Sequence, residues 1–435
     1  MDYLKDFSES TEESRNYTLD GRVVAKRDLG KIVFLTLKDQ TGSAQIAFQS
    51  ETLGSEFSKY KSINVGDLIQ VEGTSFISRN GTRTLDTSDG YVVAPCSVPF
   101  PDKHNGLSVR GGRDNRGLEL ATSEEAITLF RRRNDVVRQT RTFLYDRGFQ
   151  EVDTGILQPV TNTSLSSDFR THSEYFDRDL FLRKTPELRL KQLLVGGLRD
   201  IFEMGKNFRN EGVSKQYHPE YTILELYQNG ATYKDVLRLT VDLLGRLNTA
   251  IHMPSTNPTS ARDVFLYDFI NSETGVNPKE AKIEELKSVI DPEILKEYPG
   301  ASDDVRGFYV YDVFRTLLKQ HSDENLILHG VPKEISVLGK AFDDEPSLIE
   351  EFRYFVHGNL ICNGITELND AEEQRKRIVQ QARTLGKTLD KNDDQFLDLL
   401  KFGLPPCAGI GLGLEKMLMV YLETDDVRDV IYYPL

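Results

Sequence analysis

Ile201-Phe202-Glu203-Met204-Gly205-Lys206-Asn207-Phe208-Arg209-Asn210-Glu211 leads into Gly212 and returns through Pro219-Glu220-Tyr221-Thr222-Ile223-Leu224-Glu225-Leu226-Tyr227. On an extended chain successive side chains alternate between faces, so Phe202 and Met204 enter a core while Arg209 and Glu211 share a face. Gly212 opens a loop that closes near Pro219, and Tyr221, Ile223, Glu225 and Tyr227 then lie on one side of the return strand. The pattern predicts a long hairpin that presents one cation, two carboxylates and two phenols together. Carboxylates inside an otherwise apolar strand are unfavourable unless they bind something. Arginine's planar fork suits a phosphate or carboxylate. A structural Arg-Glu pair on an exposed sheet face is the plainer alternative, and the stretch alone leaves both open.

Two other segments carry similar signals. In Cys362-Asn363-Gly364-Ile365-Thr366-Glu367 the side chains of Asn363, Ile365 and Glu367 point one way, and Asn369 or Asp370 then caps a helix. Glu367 is thus delivered by a strand into a pocket, where a carboxylate ~4 Å from a ligand ammonium is worth up to about 4 kcal/mol at an effective dielectric near 20. Pairing to a Lys or Arg of that helix is the alternative. Gly403-Leu404-Pro405-Pro406-Cys407-Ala408-Gly409-Ile410-Gly411-Leu412-Gly413-Leu414-Glu415-Lys416 reads as a glycine-rich approach to a helix. Glycines at 409, 411 and 413 let a flat or phosphorylated ligand come near the backbone. They fit neither a Walker loop nor a dinucleotide fingerprint.

Toward the N-terminus, short alternating runs between glycine turns from Thr18 to Cys96 predict a small five-stranded barrel. Period two turns Val33, Leu35 and Leu37 inward and Phe34 outward, with Gln45 outward on the next strand. An outward aromatic beside an outward amide matches a single-stranded nucleic-acid platform, although spacing alone favours Phe34 simply meeting another domain. Prolines and glycines make 97–120 a linker, and Thr122-Ser123-Glu124-Glu125 starts a helix reaching about Tyr145. The remainder reads as a large α+β domain with a helical insertion around 270–305. The domains expected are therefore 1–96, 97–120 and 121–435.

The whole chain has 435 residues, 54 basic and 68 acidic, for a net charge of −14. That excludes coating nucleic acid by bulk electrostatics but permits a local basic surface. Cys96, Cys362 and Cys407 are too scattered for a disulfide framework or a cysteine zinc site. No apolar run approaches a membrane span, and the first residues lack a secretory pattern, so a cytoplasmic location without a membrane partner is expected.

Taken together, these segments resemble one family. Phe208-Arg209-Asn210-Glu211 with Pro219-Glu220-Tyr221-Thr222 is similar to motif 2 of the class II aminoacyl-tRNA synthetases, and the glycine string is similar to motif 3. Thr185-Pro186-Glu187-Leu188, Asn363 to Asp370, Gly403-Leu404-Pro405-Pro406 and Val427-Arg428-Asp429-Val430-Ile431 resemble the bacterial-type lysyl-tRNA synthetases, and the barrel resembles their anticodon-binding OB domain. The resemblance implies an all-β OB-fold barrel followed by an α+β catalytic domain on an antiparallel sheet. It implies that Glu187 and Glu225 hold an α-ammonium, that Glu367 and Tyr227 hold a lysine ε-ammonium, and that Asn363 supports the carboxylate. Arg209 would bridge that carboxylate and the ATP α-phosphate, Glu211 and Tyr221 would meet adenine, and Gly411, Gly413 and Lys416 would complete the ATP site. Arg209 and Lys416 are then the catalytic candidates. Phe34 and Gln45, with Arg22 nearby, would contact RNA, reversing the plainer reading of Phe34. Implied partners are lysine or a lysine-like amine, tRNA and a second copy of the chain.

The sequence also departs from that family. Motif 3 ends in Glu415-Lys416 where arginine is usual, and the two carboxylates that hold magnesium on the triphosphate are replaced by Arg353 and Leu360. Gly155 stands for the motif 1 proline, Thr163-Ser164-Leu165-Ser166 for the glycine turn that roofs the amino acid, and Thr82 for an acidic anticodon contact. ATP is thus the expected cosubstrate, no metal-binding residue is assigned, and magnesium is doubtful. The expectation is a divergent paralogue that keeps the amino-acid end of the site. Its alternatives are a ligase handing lysine to another acceptor and a non-catalytic sensor of lysine or tRNA.

Overall fold

Alternating side chains in residues 16–94 close into a barrel of five strands: β1 (Asn16–Asp28), β2 (Ile32–Lys38), β3 (Ser43–Gln49), β4 (Leu68–Ile77) and β5 (Arg83–Ala94), in the order β1-β2-β3-β5-β4. Leu19, Val33, Leu35, Leu37, Ile46, Phe48 and Val71 fill its interior, as period two requires. The computed structural model describes the chain except residues 1–3, 13, 102–108, 161–166, 252–253, 256, 296–305 and 385–390.

The chain separates into two compact units, 1–131 with 432–434 and 132–431 with 435. The boundary therefore differs from the expected linker at 97–120, which includes helix Val109–Asp114 and most of helix Arg116–Thr122. Packing around Arg116 explains the difference. Its Nε donates to the Tyr432 carbonyl at 2.8 Å, its guanidinium lies 4.7 Å from the Phe130 ring centroid, and Phe130 stacks on Tyr432 at 4.3 Å. Helix Glu124–Asp146 begins where Ser123 Oγ accepts from the Ala126 amide and crosses the boundary.

The second unit is built on a sheet ordered β12-β13-β14-β15-β16-β11-β10-β6. Its strands are β6 (Gln150–Glu151), β10 (Ile201–Phe208), β11 (Glu220–Asn229), β12 (Arg262–Phe265), β13 (Leu326–Pro332), β14 (Leu348–Val356), β15 (Asn359–Thr366) and β16 (Cys407–Gly413). A three-stranded sheet of β7 (Leu157–Gln158), β8 (Arg170–Ser173) and β9 (Arg178–Leu182) stands apart from it. The pairs from β13 to β10 are antiparallel, whereas the two edge pairs, β12–β13 and β10–β6, are parallel, so the sheet is mixed rather than wholly antiparallel.

Phe202, Leu224, Leu226, Tyr354, Cys362 and Leu412 pack on one face against helices Tyr233–Ile251 and Leu414–Leu422. This burial stabilises the hairpin and leaves its other face free for polar residues. Helices Leu266–Thr274, Ile283–Ser288 and Arg306–Gln320 pack with Leu328, Leu348 and Phe355 in a separate core; residues 296–305 of the insertion expected around 270–305 lie outside the described ones. No described helix is long and apolar enough to cross a membrane.

Candidate active site

The site follows from register. Arg353 on β14 lies opposite Asn363 on β15, Asn363 opposite Gly411 on β16, Gly411 opposite Glu225 on β11, and Glu225 opposite Glu203 on β10. The next row carries Glu351, Ile365, Gly409, Tyr227 and Ile201. Directly opposed residues project to the same side, so both rows present their side chains on one face. The central glycines form its floor. A Cβ on Gly409 would stand 2.5 Å from Tyr227 Cε1, and one on Gly411 would stand 3.4 Å from Glu225 Oε2. The glycine string is thus a strand between two chemically active strands, rather than only an approach to a helix.

A cavity of about 360 Å³ opens on this floor. Arg209, Tyr221, Glu225, Tyr227, Asn363, Glu367 and Gly411 line it, with Glu187 at the start of helix Glu187–Val195. Residues from the two ends of the chain's second unit thereby meet in one space. Arg209 extends the β10–β11 ladder by one bond, its amide donating to the Pro219 carbonyl at 2.9 Å, and its guanidinium lies 5.4 Å from the Tyr221 ring centroid. Tyr221 donates its hydroxyl to the Lys184 carbonyl at 2.8 Å, and burial raises its pKa.

Lys191, which the sequence reading did not single out, lies among the carboxylates. Its Nζ is 2.8 Å from Glu187 Oε1 and 2.6 Å from Glu367 Oε2, and its side chain is 1% exposed. Burial alone would lower its pKa, but the charges of Glu187 and then Glu367 outweigh that and raise it. Burial and the neighbouring Glu187 charge lift Glu225 well above the carboxylate range; its hydrogen bond is the 3.1 Å one donated by Tyr227 Oη. Burial likewise pushes Glu367 up to about 7, against the opposing pull of Lys191. The i,i+4 spacing of Glu187 and Lys191 on a helix was the only sequence signal for the pair.

Three expected ATP contacts fall outside this cavity. Glu211 is exposed in the loop after β10, because the strand ends at Phe208 and alternation stops there. Gly413 ends β16 and does not line the cavity. Lys416 lines a second cavity of about 320 Å³ with Gln216, His357, Asn359 and Glu423. Its ammonium donates to Gln216 Oε1, lies 5.0 Å from the Tyr217 ring centroid, and is pushed down to about 8 by burial. Glu415, 3% exposed, instead accepts the Thr222 amide at 2.8 Å and ties its helix to β11.

Arg353 and Leu360, the positions expected to depart from the family, have clear surroundings. Arg353 donates from Nε to Glu351 Oε1 at 2.7 Å and from a terminal nitrogen to Tyr311 Oη, while Leu360 is 40% exposed. Among the described residues no three His, Cys, Asp or Glu side chains gather as a metal site. A guanidinium and an isobutyl group do not fit a magnesium ion here. Gly155 has φ of 78°, a left-handed conformation closed to proline. Thr163-Ser164-Leu165-Ser166 lies outside the described residues.

On the barrel, Phe34 opposes Ala47 and Thr36 opposes Gln45, so Phe34 and Gln45 share the outward face as half-buried diagonal neighbours. Arg22 is committed elsewhere: it donates to the Gly66 carbonyl at 2.6 Å and lies 5.5 Å from the Phe100 ring centroid. Arg27, opposite Phe34 on β1 and exposed, is a cation the sequence reading missed.

Comparison with known proteins agrees with both halves of this picture. The family described as tRNA synthetases class II (D, K and N) matches residues 112–435, and the OB-fold nucleic acid binding domain matches residues 17–92. Similar curated proteins include a lysine–tRNA ligase of Clostridium perfringens (strain SM101 / Type A), 33% identical over 442 residues that cover 97% of this chain and 87% of that protein. Another, from Syntrophomonas wolfei, is 30% identical over 439 residues, covering 97% and 88%. A third, from Coxiella burnetii (strain Dugway 5J108-111), is 32% identical over 446 residues, covering 98% and 88%.

Proposed function

The chain belongs to the class II tRNA synthetases of the D, K and N group, and on that premise we propose that it is a lysine-recognising ligase whose phosphate end departs from its relatives. The observation that carries this reading is the convergence of Glu187, Glu225 and Glu367 with Arg209 in one cavity. Two carboxylate sets in one cavity suit an amino acid with two ammonium groups, and the arginine suits its carboxylate.

In this reading Glu187 and Glu225 hold the α-ammonium, Glu367 and Tyr227 the ε-ammonium, and Asn363 the carboxylate. Tyr221 supports adenine and the Gly411 floor admits the ligand closely. A lysine carboxylate oxygen attacks the α-phosphorus of ATP, the bond to pyrophosphate breaks, and the lysyl group passes to a tRNA 3′ hydroxyl with release of AMP. Arg209 holds both reacting groups, so catalysis is positioning and charge stabilisation. Lys416 meets the outer phosphates after leaving Gln216. Arg353 supplies positive charge where relatives of this type place carboxylates, and no step is assigned to magnesium. Phe34 and Gln45 contact the anticodon, with Arg27 rather than the committed Arg22 as the nearer cation. A cytoplasmic homodimer is the expected setting.

A second reading, a paralogue that binds lysine or tRNA without activating it, draws on the replacement by Arg353 and Leu360. Lysine-dependent pyrophosphate exchange, with and without tRNA and magnesium, separates the two. Robust exchange establishes the ligase. Lysine binding by calorimetry without exchange establishes the sensor.

A further inference from the structure

The cavity holds a buried ammonium of its own. Lys191 is 1% exposed and contacts two carboxylates, Glu187 one turn earlier on its own helix at 2.8 Å and Glu367, distant in sequence and just beyond β15, at 2.6 Å. Its ammonium lies 5.9 Å from the Tyr227 ring centroid and 5.8 Å from that of Phe396, so aromatic faces complete the cage. Packing alone does not call for this: the same helix buries Leu190 and Leu194, and an apolar residue would fill position 191 more cheaply than a desolvated cation.

Charge arithmetic gives the ammonium a role. Glu187, Glu225 and Glu367 face one cavity, and Lys191 is the cation paired with two of them. Once the ammonium groups of a ligand draw Glu225 and Glu367 into their ionised forms, the four groups keep two negative charges, which equals the positive charge on the two ammonium groups of a diamino acid whose carboxylate is met by Arg209. Without Lys191 the same ligand would leave one buried negative charge in excess, and Glu187 and Glu367 would lose the group that holds them in place.

We propose that Lys191 is a positioning residue for amino-acid recognition, a resident counter-ion that fixes Glu187 and Glu367 and sets the charge the pocket offers to a diamino acid. This rests on the lysine-recognition reading above. Lys191 touches the carboxylates, and through them the ligand.

The test is calorimetric titration of lysine into the full chain and its variants, with folding checked by circular dichroism. Lysine binding by the unaltered chain tests the underlying reading separately. Lys191→Met is expected to weaken lysine binding by about tenfold or more, and Lys191→Arg, which keeps the charge, to restore most of it. In Lys191→Ala, millimolar ethylammonium is expected to restore lysine affinity and ethanol is not, a response that a merely structural role would not give. If lysine binds the unaltered chain and Lys191→Met binds it within twofold, the proposal is wrong. Equal rescue by ethanol and ethylammonium would also overturn it. Should the Met and Ala variants fail to fold, Lys191→Arg decides: affinity near that of the unaltered chain supports the counter-ion role, and lost affinity in a folded protein refutes it.

Discussion

Arg353 lies directly opposite Asn363 across the β14–β15 ladder, and its guanidinium is held by the buried carboxylate of Glu351 at 2.7 Å. One strand separates this cation from the amino-acid cavity, a spacing of about 4.8 Å between neighbouring backbones. Glu351 is 1% exposed, so Arg353 is its counter-ion as well as a neighbour of the site. Removing only the arginine leaves a buried charge. Arg353→Met should therefore destabilise the fold by about 3 kcal/mol, and Glu351→Gln in the same chain should recover most of that. Urea unfolding of the two single variants and the double variant checks the coupling.

If the proposed departure at the phosphate end is real, placing carboxylates there should bring metal dependence with it. Arg353→Glu with Leu360→Glu and Lys416→Arg is expected to raise ATP affinity in millimolar magnesium by about tenfold, with little gain in its absence. Calorimetry with and without the metal reads this directly. Equal affinity in both conditions would argue against altered metal use as the basis of the departure.

Glu367 makes the amino-acid end sensitive to pH. Its pKa is pushed up to about 7 by burial, above its ordinary value, so the carboxylate of the free protein takes up a proton as pH falls through about 7. An ammonium ligand needs the ionised form. Lysine affinity should thus fall as pH drops below 7, and protons should be released on binding, with Glu225, also raised by burial, adding to the release, when the titration is run near pH 6.5 in buffers of different ionisation enthalpy. Glu367→Gln should abolish lysine binding, and unchanged affinity would show that the ε-ammonium lies elsewhere.

Lys416 gives the opposite slope. Burial pushes its pKa down to about 8, so positive charge disappears as pH rises through that value. ATP affinity should weaken between pH 7 and 9 in the unaltered chain and stay flat in Lys416→Arg, whose guanidinium remains charged throughout. Equilibrium titration with a fluorescent ATP analogue follows both curves.

Gly409 tests the floor of the cavity. A methyl group there would meet Tyr227 Cε1 at 2.5 Å, and Tyr227 is 1% exposed and lines the cavity, so the ring would have to shift within it. Gly409→Ala is expected to displace the ring and weaken lysine binding by about tenfold, with ATP binding less affected. Similar losses for both ligands would place the damage in the whole sheet.

Local periodicity was enough to determine much of this protein. Alternation over a few residues decides which side chains share a face, so the inward residues of the barrel, the apolar side of β10 and β11, and the common direction of Asn363, Ile365 and Glu367 were all legible. The capping of the following helix was legible too, since Asp370 Oδ1 accepts the amides of Glu372 and Glu373. Only the tertiary structure decided where those faces end and what neutralises them. Glu211 lies in the exposed loop beyond β10, which stops at Phe208, and Lys416 donates to Gln216 beside the second cavity. Arg22 became a strut of the barrel, and Lys191 met Glu367 across a long interval of chain. The reason is physical: a side chain's face depends on its own backbone, whereas the counter-ion of a buried charge depends on whichever strand or helix packs beside it.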